Sequence, residues 1–261
     1  MADLRSNFLG IRSPNPFWLA SAPPTDKEYN VVRAFEAGWG GVVWKTLGED
    51  PPIVNVNGPR YGALLGPDRR VIGFNNIELI SDRPLRTNLD EIARVKRAWP
   101  DRAMVVSLMV PCEEASWRRI LAQVEDTGAD GVELNFGCPH GMSERGMGSA
   151  VGQVPEYIEM VAAWCKQHSR LPVIVKLTPN ITDVRHPARA AQAGGRRRAA
   201  DFGHHVQCDR FDRRAAVAAV RSHAGGGRAH RQRGRIDPHD RVDGVDQAHR
   251  VGPAALGGGG R

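Results

Sequence analysis

The sequence predicts an α/β fold, a parallel β/α barrel of which five units are legible in residues 1–195. Three observations carry this expectation. Short apolar runs alternate with helix-patterned segments, as in a parallel sheet covered by helices. The runs are apolar on both faces, which is the pattern of strands buried on both sides. Polar residues gather just after each run, where barrels build their sites. A (β/α)8 barrel takes ~250 residues. The sequence therefore predicts a barrel truncated after its fifth β/α unit, with a disordered tail over residues 196–261.

The expected strands are Phe17–Ala22, Gly41–Thr46, Ala103–Met109, Gly131–Gly137 and Pro172–Thr178. Each is bounded by Gly, Pro or polar residues. Helical patterns follow. Glu28–Ala37 stops at Gly38. Asn88–Trp99 opens on Asn88 as an N-cap candidate, with Asp90 and Glu91 in the first turn. Glu113–Thr127 stops at Gly128, and Pro155–His168 starts on a proline, suited to a first helical position. His186–Ala193 runs into Gly194-Gly195, a stop signal after which no strand is expected. A long insertion holding Gly73-Phe74-Asn75-Asn76-Ile77-Glu78 separates the second and third strands.

The net charge of +7 is not spread evenly. Residues 1–195 hold 22 basic and 22 acidic side chains, while residues 196–261 hold 14 Arg against 7 Asp, with no Lys and no Glu. The tail also has 11 Gly and 6 His, and lacks any strand-length apolar run. Such a composition cannot bury a core. One reading makes it an Arg-rich arm that binds polyanions. Another makes it a GC-rich gene read out of frame after Gly195, and this reading is preferred.

Several classes are excluded. Cys112, Cys138, Cys165 and Cys208 form no CxxC pair, which argues against a zinc or iron–sulfur site. No GxGxxG follows the first strand, so no Rossmann site is expected. Met1–Gly10 lacks the apolar core of a signal peptide, and no window approaches the ~18 apolar residues of a membrane span. The expected location is cytoplasmic, without a membrane or specific nucleic-acid partner.

The chemistry gathers at the strand ends: Ser21-Ala22-Pro23, Lys45-Thr46, Asn135-Phe136-Gly137-Cys138-Pro139-His140, and Lys176-Leu177-Thr178. Lys45 and Lys176 end otherwise apolar strands. Each needs an anionic or carbonyl partner, or must reach water at the rim. Asn76 and Asn135 offer paired donors and acceptors that suit the edge of a heterocycle, though either could instead form a turn. Cys138 opens a Gly-rich loop, a place for a proton donor that must be shut away from water. A thiol with an ordinary pKa of about 8.5 is protonated at neutral pH and can act as an acid. The alternative for each cysteine is a small buried hydrophobe, which suits Cys112 and Cys165.

These residues sit in longer strings. NPFWLASAPPT, AFEAGWGGVVWKT, GFNNIELISDRPL, ELNFGCPHGMSERGMG and VIVKLTPNITD resemble the flavin domain of the dihydropyrimidine dehydrogenases, in particular the catalytic subunit of the bacterial NAD-dependent type. The resemblance covers residues 3–195. It implies a barrel of the dihydroorotate dehydrogenase-like type that binds FMN and reduces the 5,6 double bond of uracil or thymine in pyrimidine catabolism. Ser21, Ala22, Lys45, Thr46 and Lys176 match positions that contact FMN. Asn76, Asn135, Phe136 and Gly137 match positions that bind the pyrimidine base, and Glu78 lies on the loop of Asn76. Cys138 matches the acid: hydride goes to C6 and a proton from Cys138 to C5. Electrons would come from NADH through a partner subunit carrying FAD and iron–sulfur clusters, and the intact family implies a homo-oligomer. The alternatives are a dihydroorotate dehydrogenase-type flavoenzyme of pyrimidine synthesis and a non-catalytic remnant with a polyanion-binding tail. The family continues into a sixth strand ending in Asn-Thr, where this chain reads Gly203-His204. Weak FMN binding and little turnover are therefore expected of this chain.

Overall fold

A computed structural model describes residues 3–54, 58–139, 145–196, 204–208 and 218–220. Met1–Ala224 form one compact unit, and Gly225–Arg261, a second unit, lie outside the described residues. The chain opens with the hairpin β1 (Ser6–Phe8) and β2 (Ile11–Ser13), then β3 (Trp18–Leu19) and α1 (Glu28–Glu36). Next come β4 (Gly41–Leu47), the hairpin β5 (Tyr61–Leu65) and β6 (Val71–Asn76), α2 (Leu85–Ala98), β7 (Ala103–Leu108) and α3 (Glu114–Glu125). β8 (Gly131–Asn135), α4 (Ser149–Gly152), α5 (Pro155–His168), β9 (Val173–Leu177) and α6 (Arg185–Arg196) complete the five expected units. β10 (His204–Cys208) and β11 (Ala218–Val220) follow.

The main sheet has the order β3-β4-β7-β8-β9-β10-β11. β3 through β10 pair in parallel, and β11 is antiparallel to β10. The pleat sorts its side chains. Val132, Leu134 and Phe136 of the fourth unit face the helices, with Val173, Val175 and Leu177 of β9 and Met104, Val106 and Leu108 of β7. Ala103, Val105 and Ile174 face the other way, where they pack with Val43 and with Ile11 of the first hairpin. Successive side chains of a strand point to opposite faces. The residues that continue this inner face toward the strand ends are Ser107, Glu133, Asn135 and Lys176, and they carry the polar chemistry.

Four expectations are corrected. The first strand is shorter than expected, Trp18–Leu19, and beyond it Ser21 meets β4 through its side chain: its Oγ accepts the Thr46 N–H at 3.0 Å. Asn88 is no cap. The helix begins at Leu85 and turns Asn88 toward the sheet, where its Oδ1 accepts the Trp44 indole N–H at 3.1 Å. Its Nδ2 donates to the Pro84 carbonyl at 3.1 Å. Gly194 does not stop α6. It lies inside the helix, and a Cβ there would stand 2.3 Å from the Glu159 carbonyl oxygen of α5. The glycine serves close helix packing. Finally, a strand does follow residue 195: His204–Cys208 pairs with Val173–Leu177. An edge strand offers a row of unpaired backbone groups, and an extended segment can join it without an apolar pattern of its own. The expectations of a disordered or out-of-frame tail fall otherwise outside the described residues.

The insertion between β4 and α2 forms its own two-stranded antiparallel sheet, β5 with β6. Gly73–Asn76 belong to β6 rather than to a loop. α5 starts on Pro155 as expected, and Gly38 and Gly128 hold positive φ after α1 and α3. No helix of the described residues is long and apolar enough to cross a membrane.

Candidate active site

The C-terminal ends of the strands enclose a cavity of about 440 Å³. Ser21, Ala22, Lys45, Thr46, Asn76, Glu78, Asn135, Gly137, Cys138 and Lys176 all line it. Its volume falls within the ~300–1,000 Å³ of small-molecule sites. Phe136 is the exception among the candidate site residues. It is 1% exposed and packs in the helix-side core, edge-on to Trp117 with ring centroids 6.5 Å apart. Its parity with Val132 and Leu134 dictates this, so its side chain is removed from the set that faces the cavity.

A buried chain of polar groups runs across the site. Lys176 Nζ lies 2.9 Å from Glu133 Oε1, and Ser107 Oγ donates to the same oxygen at 2.7 Å. Thr46 Oγ1 lies 2.8 Å from Ser107 Oγ and 3.1 Å from Ser21 Oγ. Asn135 Nδ2 donates to Thr46 Oγ1 at 2.9 Å, and Asn135 Oδ1 accepts the Gly137 N–H at 3.1 Å. The directions can be deduced. A hydroxyl has one proton, and a carboxylate only accepts. Ser107 gives its proton to Glu133, so Thr46 must donate to Ser107, and Ser21 to Thr46. The Glu133 carboxylate thus orders the hydroxyls from Ser107 to Ser21. Neither Glu133 nor Ser107 is prominent in the sequence. The signal that finds them is pleat parity, because each shares the inner face with Lys176 and Asn135.

Lys45 is paired from the other side. Its Nζ lies 3.1 Å from Glu78 Oε2, just beyond the end of β6. Glu78 also faces Arg60 at 3.8 Å, and its N–H donates to Asn76 Oδ1 at 3.3 Å. Arg60 reaches Asp82 at 3.5 Å. Burial pushes the Tyr61 phenol up, and the Glu78 charge and hydrogen bond push it further. Asn76 therefore forms a turn and lines the cavity at once. Both lysines find carboxylates, so the alternative that they reach for water is set aside.

Cys138 is half-buried at the cavity and packs against a small cluster of Ile80, Met109 and Met147. Its carbonyl accepts the Ser149 N–H at 3.1 Å. Gly148, at φ +59°, passes so close that a Cβ would stand 2.5 Å from the Cys138 carbonyl oxygen. Glycine at this position keeps the returning loop tight over Cys138. Residues 140–144 of that loop, His140 among them, lie outside the described residues. Cys165 is fully buried beside Ile158 and Val161, and burial pushes its thiol far up. Burial also raises the half-buried Cys112. Cys165 is a core residue, and Cys112 packs against the core from its edge. Among the described residues no group of His, Cys, Asp and Glu could hold a metal ion.

A curved parallel sheet with polar groups at its C-terminal ends is the architecture of the β/α barrel enzymes. The chain belongs to the dihydroorotate dehydrogenase family, whose model matches residues 3–227. That match runs past Gly195, where the resemblance in sequence was expected to stop. The chain is 43% identical over 199 residues to the chloroplastic dihydropyrimidine dehydrogenase (NADP(+)) of Arabidopsis thaliana. It is 41% identical over 193 residues to the NAD-dependent dihydropyrimidine dehydrogenase subunit PreA of Escherichia coli K12. It is 30% identical over 199 residues to the catalytic subunit of dihydroorotate dehydrogenase B (NAD(+)) from Thermoplasma acidophilum. Each alignment covers 74% of this chain, with 46% of the first two relatives and 60% of the third. The chain thus spans about half the length of the dihydropyrimidine dehydrogenases it matches. Among solved structures, the fold is similar to that of DHODH from Eimeria tenella in complex with ferulenol. The TM-score is 0.58 at 17% identity, covering 74% of this chain and 57% of the other.

Proposed function

We propose that residues 1–195 carry the front half of a flavin-dependent site that reduces the 5,6 double bond of uracil or thymine. One observation carries this reading: a single cavity gathers Cys138, Asn76, Asn135 and both strand-end lysines. The higher identity to dihydropyrimidine dehydrogenases than to dihydroorotate dehydrogenase B supports a pyrimidine base over dihydroorotate. The Arg- and Gly-rich residues 196–261 are given no part in the chemistry.

The residues fit the ring end of FMN. Ser21, Thr46 and Lys176 would face the flavin, and the side-chain amides of Asn76 and Asn135 would hold the edge of the base. Barrels hold the cofactor phosphate on loops after the seventh and eighth strands, and no such loop is among the described residues. Bound FMN supplies the hydride. Cys138 supplies the proton: its Sγ–H bond breaks as the ring carbon takes the hydrogen, and the thiolate is left beside the cavity. Asn135 is held for its task, since its amide is oriented by Thr46 and by the Gly137 N–H. NADH would be oxidised on a partner subunit with FAD and iron–sulfur clusters, and the electrons passed to this site.

The test uses the full chain. FMN is titrated by quenching of its fluorescence, reduced without oxygen, and mixed with uracil. Weak binding and slow reoxidation of the bound flavin by uracil are expected, slowed a further ~100-fold in Cys138→Ala. Equal rates in the two proteins would contradict the role of Cys138, and no FMN binding would contradict the flavin reading.

A further inference from the structure

We infer that Glu133 is the positioning residue of this site: it fixes the Lys176 ammonium against the cavity wall and sets the direction of the hydroxyl chain that ends at Ser21. The inference rests on the flavin reading for its purpose, but not for its geometry.

The two lysine–carboxylate pairs differ in what holds them. Glu78, the partner of Lys45, sits beyond β6 in the insertion and divides itself between Lys45 and Arg60. Glu133 lies in the middle strand of the parallel sheet and is 2% exposed. It sits in register with Ser107 on one side and Ile174 on the other. One carboxylate oxygen takes both the Lys176 ammonium and the Ser107 hydroxyl. A buried carboxylate in an otherwise apolar strand is costly, and replacing such pairs by apolar residues is often neutral or stabilising. Removing one partner alone is destabilising, so Glu133 also supports the fold, but stability does not by itself explain why a charged pair rather than an apolar one stands at the cavity wall.

Its place explains two properties of the cavity wall. Lys176 faces the cavity while its charge is balanced from behind, so it can meet an electron-rich ring without bringing net charge into the barrel. Ser21 spends its proton on the chain toward Glu133 and accepts the Thr46 N–H, which leaves it one lone pair for a ligand, whereas Thr46 accepts from both Ser21 and Asn135 and has none left. Asn135, donating into Thr46, keeps its second amide proton for a ligand. Glutamine at 133 could both donate and accept, and this ordering would be lost.

The test is lysine acylation of the full chain, read peptide by peptide by mass spectrometry. Only the free amine reacts, so the rate reports how firmly each ammonium keeps its proton. In Glu133→Gln, Lys176 loses the Glu133 carboxylate, and its acylation is expected to rise about tenfold or more. Glu133→Asp keeps the charge and should restore slow labelling. Glu78→Gln, which removes the other lysine–carboxylate pair, should leave Lys176 unchanged. Lys96 and Lys166, which lie on helices, report on folding. A selective rise at Lys176 supports the proposal. An unchanged Lys176 in Glu133→Gln overturns it. A common rise at Lys96, Lys166 and Lys176 also overturns it, because the carboxylate would then serve the fold alone. FMN added to the unmodified chain is a separate arm: failure to shield Lys45 and Lys176 counts against the flavin reading and leaves the result for Glu133 standing.

Discussion

The parallel sheet and the insertion that reaches its upper edge treat apolar side chains in opposite ways. Every residue of β4, β7, β8 and β9 is buried. In the β5–β6 hairpin, Leu64, Leu65, Val71, Ile72 and Phe74 are all exposed, Phe74 to 86%. The sheet is thus a packed wall that fixes Glu133, Asn135 and Lys176. The hairpin has no core of its own, and it delivers Asn76 and Glu78 to the same cavity. One side of the site is set by strand geometry, the other by an element whose position depends on a few polar contacts.

The largest effect that sharpens this contrast is expected at Phe136. Removing its ring in Phe136→Ala should cost about 3–5 kcal/mol, because it fills the core beside Trp117. Urea unfolding measures this, and a near-neutral result would place Phe136 outside the core. Asn88→Ala strands the indole N–H of the buried Trp44 and should cost about 1–3 kcal/mol in the same assay. Gly194→Ala gains helix propensity of about 1 kcal/mol yet pushes a methyl against the Glu159 carbonyl. A net loss of stability is expected, and a gain would show that α5 and α6 pack less closely than described.

Acid should act through the joint between α1 and α2. Burial pushes the Glu91 carboxyl up. Hydrogen bonds from Arg83 and from the Glu28 N–H outweigh it and hold the group below its ordinary 4.5. A carboxylate whose folded pKa is depressed contributes stability above the ordinary carboxylate range and loses it as pH falls through the folded value. Stability should therefore fall below about pH 4.5. Glu91→Gln should flatten that part of the curve, and an unchanged acid limb would remove Glu91 as its source. The smallest effect is expected on the hairpin, where Phe74→Ala should stay within about 0.5 kcal/mol. A larger loss would mean that the hairpin is packed against something.

The sheet was legible because buried parallel strands announce themselves as apolar runs, and VVWK, MVVSLM, VELNF and VIVKL each lie in one. The strand-end site was legible for the same reason, since polar residues at the ends of such runs have few other places to go. What stayed hidden depended on partners far away in sequence. Nothing local says that Asn88 faces Trp44, 44 positions earlier, rather than capping its own helix. Gly194 reads as a stop until Glu159 is seen against it. Glu133 and the helix-side packing of Phe136 show only when alternate positions are counted along β8 and one residue past it. The hairpin escaped notice because its apolar residues face water, which no buried-strand pattern anticipates. His204–Cys208 joined the sheet through backbone pairing, which leaves little trace in side-chain pattern.

The central claim is that the strand ends form one ligand cavity. It is tested most directly by titrating FMN into the isotopically labelled chain and following backbone amide signals. This measurement tolerates weak binding. The account predicts that Ala22, Thr46, Gly137 and Lys176 shift together along one binding curve, while Trp164 and the other outer residues of α5 stay still. Shifts gathered on α5 or on the hairpin tip, or no shifts at all under saturating FMN, would contradict it.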